Sequence, residues 1–139
     1  MEASLDTNVL ARFALKDIPD QYDAALALLS STTDHYVVAD AVFIELAYML
    51  EHHYGLDRND TCEFIRSLLT IDSLITNAAV VTATCVAYET HPGLSFADCY
   101  LAEHAQLMRV VPLYTFDKKL AHQHPAARLV PASREPKRG

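Results

Sequence analysis

A chain of 139 residues, 51% hydrophobic and 21% charged, is long enough to bury one core and has an ordinary globular balance. No apolar run approaches the roughly 20 residues of a membrane helix, and Met1-Glu2-Ala3-Ser4 lacks the basic-then-apolar pattern of a secretory signal. A net charge of −7 would repel nucleic acid if it were spread evenly over the surface. Cys62, Cys85 and Cys99 are an odd set without CxxC spacing, which fits small buried hydrophobes in a reducing cytoplasm.

In chain order, Ala3-Ser4-Leu5-Asp6 reads as a short strand, and Thr7-Asn8 opens a helix through Val9, Leu10, Phe13 and Ala14. Pro19 begins a second helix with Tyr22, Ala25, Leu26 and Leu29 at helical spacing. His35 to Ala39 is a strand; Asp40 is suited to cap an apolar helix over Ala41 to His53, which Gly55 ends. Asp57 caps a helix with Cys62, Ile65, Leu68 and Leu69 on its buried side, and Ile71 to Ile75 is a third strand. Asn77 starts a helix carrying Val80, Val81, Thr84 and Tyr88, broken by His91-Pro92-Gly93. Ser95 starts the helix that holds Asp98, Tyr100, Leu101, Ala105 and Leu107. Val110 to Tyr114 is a fourth strand with Pro112 placed early in it, since proline lacks a ladder donor. A short helix follows Asp117, and Arg128 to Val130 is a fifth strand. Residues 1–130 form one domain, and 131–139 read as a solvated basic tail containing Arg134, Lys137 and Arg138.

Short strands alternating with helices predict an α/β fold with a parallel sheet, which places ligands at the carboxyl ends of its strands. Asp6 ends the first strand, Asp117 follows the fourth, and Asp98 lies in the first, electropositive turn of its helix. Each has a plainer reading as a helix cap; Ser95-x-x-Asp98 is a weak capping box. Glu45 is harder to dismiss. It sits among Ala41, Val42, Ile44, Leu46, Tyr48 and Met49, with no Lys or Arg within four residues. A buried carboxylate there must be paired, protonated or bound to metal, unless it points into solvent from the helix edge. Four acids in one place repel one another, and bound cations make the arrangement favourable. An all-oxygen set suits Mg²⁺, with Mn²⁺ as substitute, and so phosphodiester hydrolysis by a metal-activated water. Removing these four negatives from −7 leaves −3, so net charge does not decide for or against a nucleic-acid substrate.

Leu5-Asp6-Thr7-Asn8-Val9-Leu10, Ala41-Val42-Phe43-Ile44-Glu45-Leu46, Phe96-Ala97-Asp98-Cys99-Tyr100-Leu101-Ala102 and Tyr114-Thr115-Phe116-Asp117-Lys118-Lys119-Leu120 resemble the motifs of PIN-domain ribonucleases. The likeness is nearest to VapC-type toxins of type II toxin–antitoxin pairs, in order, over residues 1 to about 130. The resemblance implies a three-layer α/β/α sandwich around a mostly parallel five-stranded sheet, usually in the order 3-2-1-4-5. It implies that Asp6, Glu45, Asp98 and Asp117 bind Mg²⁺ or Mn²⁺ and activate water to cut RNA, leaving a 5′-phosphate and a 3′-hydroxyl. Asn8 and Thr115 match polar positions that orient ligands around the metal. A homodimer and a cognate antitoxin are implied as well, the antitoxin's C-terminal segment lying in an apolar groove and directing a basic side chain at the acids.

Positive charge near the site is thin. Arg12, Lys16, Lys118 and Lys119 are the candidates for contacting phosphate, with surface solvation as the plainer reading of each. His122-x-His124 has a chelating spacing but reads as a loop surface, His52-His53 end a helix where a partly positive imidazole is favoured, and no triad signature makes Cys99 a nucleophile. Two other functions compete. A receiver-like domain shares a parallel sheet and an acidic pocket, but gives no role to a Glu inside an apolar helix. A PIN-like module that binds RNA or protein without cutting would be marked by a lost acid, and none is lost. A two-metal site handles an RNA or a DNA backbone alike.

Overall fold

The structure is a computed structural model that describes residues 1–133. The predicted tail therefore lies, from residue 134 onward, outside the described residues. The chain runs β1 (Glu2–Ser4), α1 (Thr7–Leu15), α2 (Pro19–Leu29), β2 (His35–Val37), α3 (Asp40–Tyr48) and a π-helical turn (Met49–His53). It continues through α4 (Arg58–Leu69), β3 (Leu74–Ile75), α5 (Ala78–Thr90), α6 (Phe96–Leu107), β4 (Leu113–Thr115), α7 (Lys118–Gln123) and β5 (Ala127–Leu129). Among the described residues no helix is long and apolar enough to cross a membrane.

All strand pairs are parallel, the expected class of α/β sandwich. β2 lies between β1 and β3, with Ser4 opposite Val37 and Val37 opposite Ile75. β4 pairs with β5, Thr115 facing Leu129. These are the 3-2-1 and 4-5 neighbours of the expected order, but among the described residues no ladder joins β1 to β4. The strands are shorter than predicted for local reasons. Leu74 N–H donates to Ile71 O at 3.1 Å, so 71–73 turn rather than extend. Pro112 has no N–H to donate, and pairing starts one residue later, where Leu113 N–H donates to Ala126 O at 2.7 Å.

The third helix departs from its predicted form at both ends. Its N-cap is Ala39, not Asp40, whose side chain is engaged elsewhere. After Tyr48 the helix widens, and Tyr54 N–H reaches back five residues to Met49 O. Gly55 then ends it in the left-handed region at φ 69, where a side chain would be strained.

The core gathers Leu10 of α1, Phe43, Leu46, Ala47 and Leu50 of the third helix, Ile65 and Leu68 of α4, Val81 and Tyr88 of α5, and Phe96 of α6. Cys62, Cys85 and Cys99 are free and buried in it, as expected for small hydrophobes. One polar device crosses this core, and nothing in the sequence announced it. Arg58, at the start of α4, donates from Nη1 to the carbonyls of Tyr88 (3.0 Å), His91 (3.3 Å) and Leu94 (2.6 Å). Its guanidinium lies 4.0 Å from the Tyr88 ring centroid and its Nε 3.6 Å from Glu51 Oε1, while the Tyr88 hydroxyl donates to Glu51. The clamp satisfies orphan carbonyls at the end of α5 and holds the loop that leads into α6.

Arg58→Ala should lower unfolding free energy by about 2–4 kcal/mol, because a part-buried carboxylate and three carbonyls lose one shared donor. Arg66→Ala, which breaks the more exposed ion pair with Glu89, should change it by less than about 1 kcal/mol. Urea denaturation of both variants checks the contrast.

Candidate active site

The parallel register decides which side chains share an edge. Asp6 stands two residues past β1, Asp40 three past β2, and Asn77 two past β3. Ser4, Val37 and Ile75 are aligned across these strands, so all three polar residues leave the carboxyl edge of one sheet. Asp117 leaves β4 in the same manner. Asp6 is exposed and caps α1, its Oδ1 accepting from Thr7 N–H at 2.6 Å. Asn8, in the first turn of α1, is exposed on the groove between α1 and α2. Asp117 caps α7 by accepting from Leu120 N–H at 3.0 Å, and its own N–H donates to Thr115 Oγ at 3.0 Å. Thr115 thus holds the backbone at Asp117.

Glu45 and Asp98 come from packed helices. The core face of α3 carries Phe43, Leu46 and Ala47, and Glu45 lies on the opposite side with exposed Ala41 and Tyr48. The apolar neighbours in sequence had suggested burial. Helical rotation corrects this: they turn inward while Glu45 turns out to a cleft of about 340 Å³ shared with Ser95, Phe96 and Ala97. Asp98, half-buried, follows those residues in the first turn of α6, and its N–H donates to the Ser95 hydroxyl at 3.1 Å. The capping box of the sequence therefore uses Ser95 as the cap and leaves the Asp98 carboxylate outside it. Among the described residues none of Asp6, Glu45, Asp98 and Asp117 forms an ion pair. Nor do any three His, Cys, Asp or Glu side chains there converge closely enough to hold a metal ion.

A fifth acid at this edge was read from the sequence only as a helix cap. Asp40 accepts from the Tyr100 hydroxyl at Oδ2 and from Asn77 Nδ2 at 3.0 Å at Oδ1. It ties the start of α3 to α5 and to the residue two beyond Asp98. The signal was available: Asp40 stands after its strand as Asp6 stands after the first. Burial, and then the bond to Asp40, push the Tyr100 hydroxyl up to about 12. Burial also pushes the Cys99 thiol to about 12, so it carries little thiolate near neutral pH.

The expected phosphate contacts separate into two pairs. Arg12 is held by Asp17 at 2.7 Å and by the Tyr54 hydroxyl at 3.2 Å, and the bond to Tyr54 raises its pKa further. Lys16 Nζ lies 5.3 Å from the Tyr22 ring centroid. Lys118 and Lys119 are exposed and have no such partner among the described residues.

A parallel α/β domain with uncompensated carboxylates at its carboxyl edge is the class that fold and site define. The chain belongs to the PIN domain family, whose sequence pattern matches residues 3–124. No curated protein matches it. Among solved structures it is similar to a chain of the crystal structure of VapBC2 from Rickettsia felis bound to a DNA fragment from their promoter. That similarity spans 94% of this chain and 98% of the other, at 17% identity and a TM-score of 0.40.

Folding holds the Tyr100 proton from the ordinary phenol pKa of about 10 up to about 12. The stability it contributes is fully present below about pH 10 and is lost as pH rises through about 12. Tyr100→Phe should therefore be less stable than the parent by about 1 kcal/mol at neutral pH. The gap should close between those two pH values when unfolding is measured across the alkaline range.

Proposed function

We propose that residues 1–130 form a Mg²⁺- or Mn²⁺-dependent endoribonuclease, the toxin of a VapC-type toxin–antitoxin pair. The observation that carries this reading is that Asp6, Glu45, Asp98 and Asp117 have no ion-pair partner among the described residues, in a chain of the PIN domain family. The order of the four motifs supports the VapC-type assignment, and with it a cognate antitoxin and a homodimer. Exposed Leu101 in α6, and Leu107, Met108, Val110 and Val111 from its end to β4, are apolar surface that a protein partner would cover.

The donor set fits the metal. It consists of carboxylate oxygens, and Mg²⁺ needs only one or two of them, taking waters and substrate phosphate for the rest. Asp6, Glu45, Asp98 and Asp117 would hold it. A bound ion supplies an activated water and charge for the departing oxygen. The protein's own part is positional: Asp6 and Asp117 are locked as caps, Thr115 holds the backbone at Asp117, and the Arg58 clamp holds the loop that leads to Asp98. Membership of the PIN domain family sets the receiver-like reading aside. A binding module of the same fold draws on one observation, the lack of a preformed three-carboxylate cluster.

End-labelled structured RNA should be cut by the purified protein with Mg²⁺ or Mn²⁺ and left whole with EDTA. Asp6→Asn should slow the cut by on the order of a hundredfold or more. Intact RNA in every arm, with no metal binding by calorimetry, would favour the binding module.

A further inference from the structure

Positive charge is scarce on this acidic chain, and its distribution is uneven. Arg12, Arg58 and Arg66 are spent on Asp17, Glu51 and Glu89. Lys118, Lys119 and Arg128 have no carboxylate partner among the described residues, and all three are exposed. They line one open cleft of about 830 Å³ between α7 and β5, together with exposed His122. Two of the three follow Asp117 directly in the chain. Exposed on one cleft and without a carboxylate partner among the described residues, the three cations are placed to meet an anion.

The residue before Asp117 carries the second observation. Phe116 is 82% exposed, more than any other large hydrophobic side chain described. Among the described residues no ring contact or core neighbour holds it. Tyr114, 55% exposed, stands opposite Arg128 in the β4–β5 register. Cations tracking a backbone and a free aromatic face are the two elements with which proteins grip single-stranded nucleic acid.

We infer that the α7–β5 cleft carries the RNA strand beside Asp117, with Lys118, Lys119 and Arg128 on successive phosphates and one unpaired base stacked on Phe116. This rests on the nuclease reading and deepens it. It assigns the strand's path and the residues that grip it, and it moves the phosphate contacts away from Arg12 and Lys16. A base can stack on Phe116 only when it is free of its own helix, so the segment gripped is single-stranded. Stacking accepts every base, so Phe116 adds affinity and contributes little sequence preference.

The test is fluorescence anisotropy of a labelled twelve-nucleotide oligouridylate in EDTA, where no cutting occurs. For three neutralised phosphates, log K against log salt should slope at about −2, falling to about −0.7 in the Lys118→Ala/Lys119→Ala double variant. Phe116→Ala should weaken binding about tenfold with the slope unchanged, and Phe116→Trp should restore it. An RNA duplex should bind more weakly than the single strand. The inference is overturned if the wild type does not bind, if the duplex binds better, or if the variants bind like the parent. It is also overturned if Phe116→Ala changes only the oligomeric state in light scattering, because Phe116 would then belong to a protein interface. All these side chains are exposed, and circular dichroism checks that each variant folds. If Mg²⁺ yields no cleavage but the variants lose oligonucleotide affinity, the nuclease reading fails and the cleft stands. If RNA is cut equally well by parent and variants, the cleft fails and the nuclease stands.

Discussion

One guanidinium holds four helical elements in place. Arg58 opens α4, reaches the last carbonyls of α5, grips the loop ahead of α6 and pairs with Glu51 in the turn that follows α3. A planar fork with several donors can satisfy carbonyls from three residues at once; a lysine in that place could not. The loop it holds leads through Ser95 to Asp98, so the direction of one candidate ligand depends on a side chain forty residues earlier. The π turn also belongs to this arrangement, because it carries Glu51 on a widened backbone that continues α3.

Electrostatics divides the surface into two regions with different tasks. Among the described residues Asp6, Glu45, Asp98 and Asp117 have no ion-pair partner, which leaves an uncompensated negative charge on the surface. Asp40 does not add freely to it, because Tyr100 and Asn77 occupy both its oxygens. Directly after Asp117 the sign reverses at Lys118 and Lys119, which share a cleft with Arg128. Such a boundary suits the proposed substrate, whose phosphates would meet the cations while its reacting group approached the acids. It also explains how a chain of net charge −7 can be read as acting on nucleic acid.

The apolar and capping patterns were legible because they are local. Pro19, Asp57, Ser95 and Asp117 start helices where the sequence placed them, and Gly55 stops one. Strand ends were less so. Whether Ile71 extends or turns depends on a bond between residues three apart, and alternation of side chains cannot report it. Asp40 looked like a cap because a cap needs only its neighbours; its partners are 37 and 60 residues away. Glu45 looked buried because adjacency in sequence was read as adjacency in space. A helix turns about 100° per residue and sends Leu46 inward while Glu45 faces out.

The chain's order of hydrophobic and polar residues determined the class of fold, the sequence of strands and helices, and the acids that follow strand ends. Those follow from periodicity, capping and steric limits acting over a few residues. Only the tertiary structure decided which acids leave the same edge, which cations are already neutralised and which aromatic ring stands free. Parallel register, the Arg58 clamp and the ion pairs of Arg12 and Arg66 set these, and each joins groups that are distant in the chain or opposed in charge. Such pairings depend on the geometry of the whole core, which no local stretch of sequence contains.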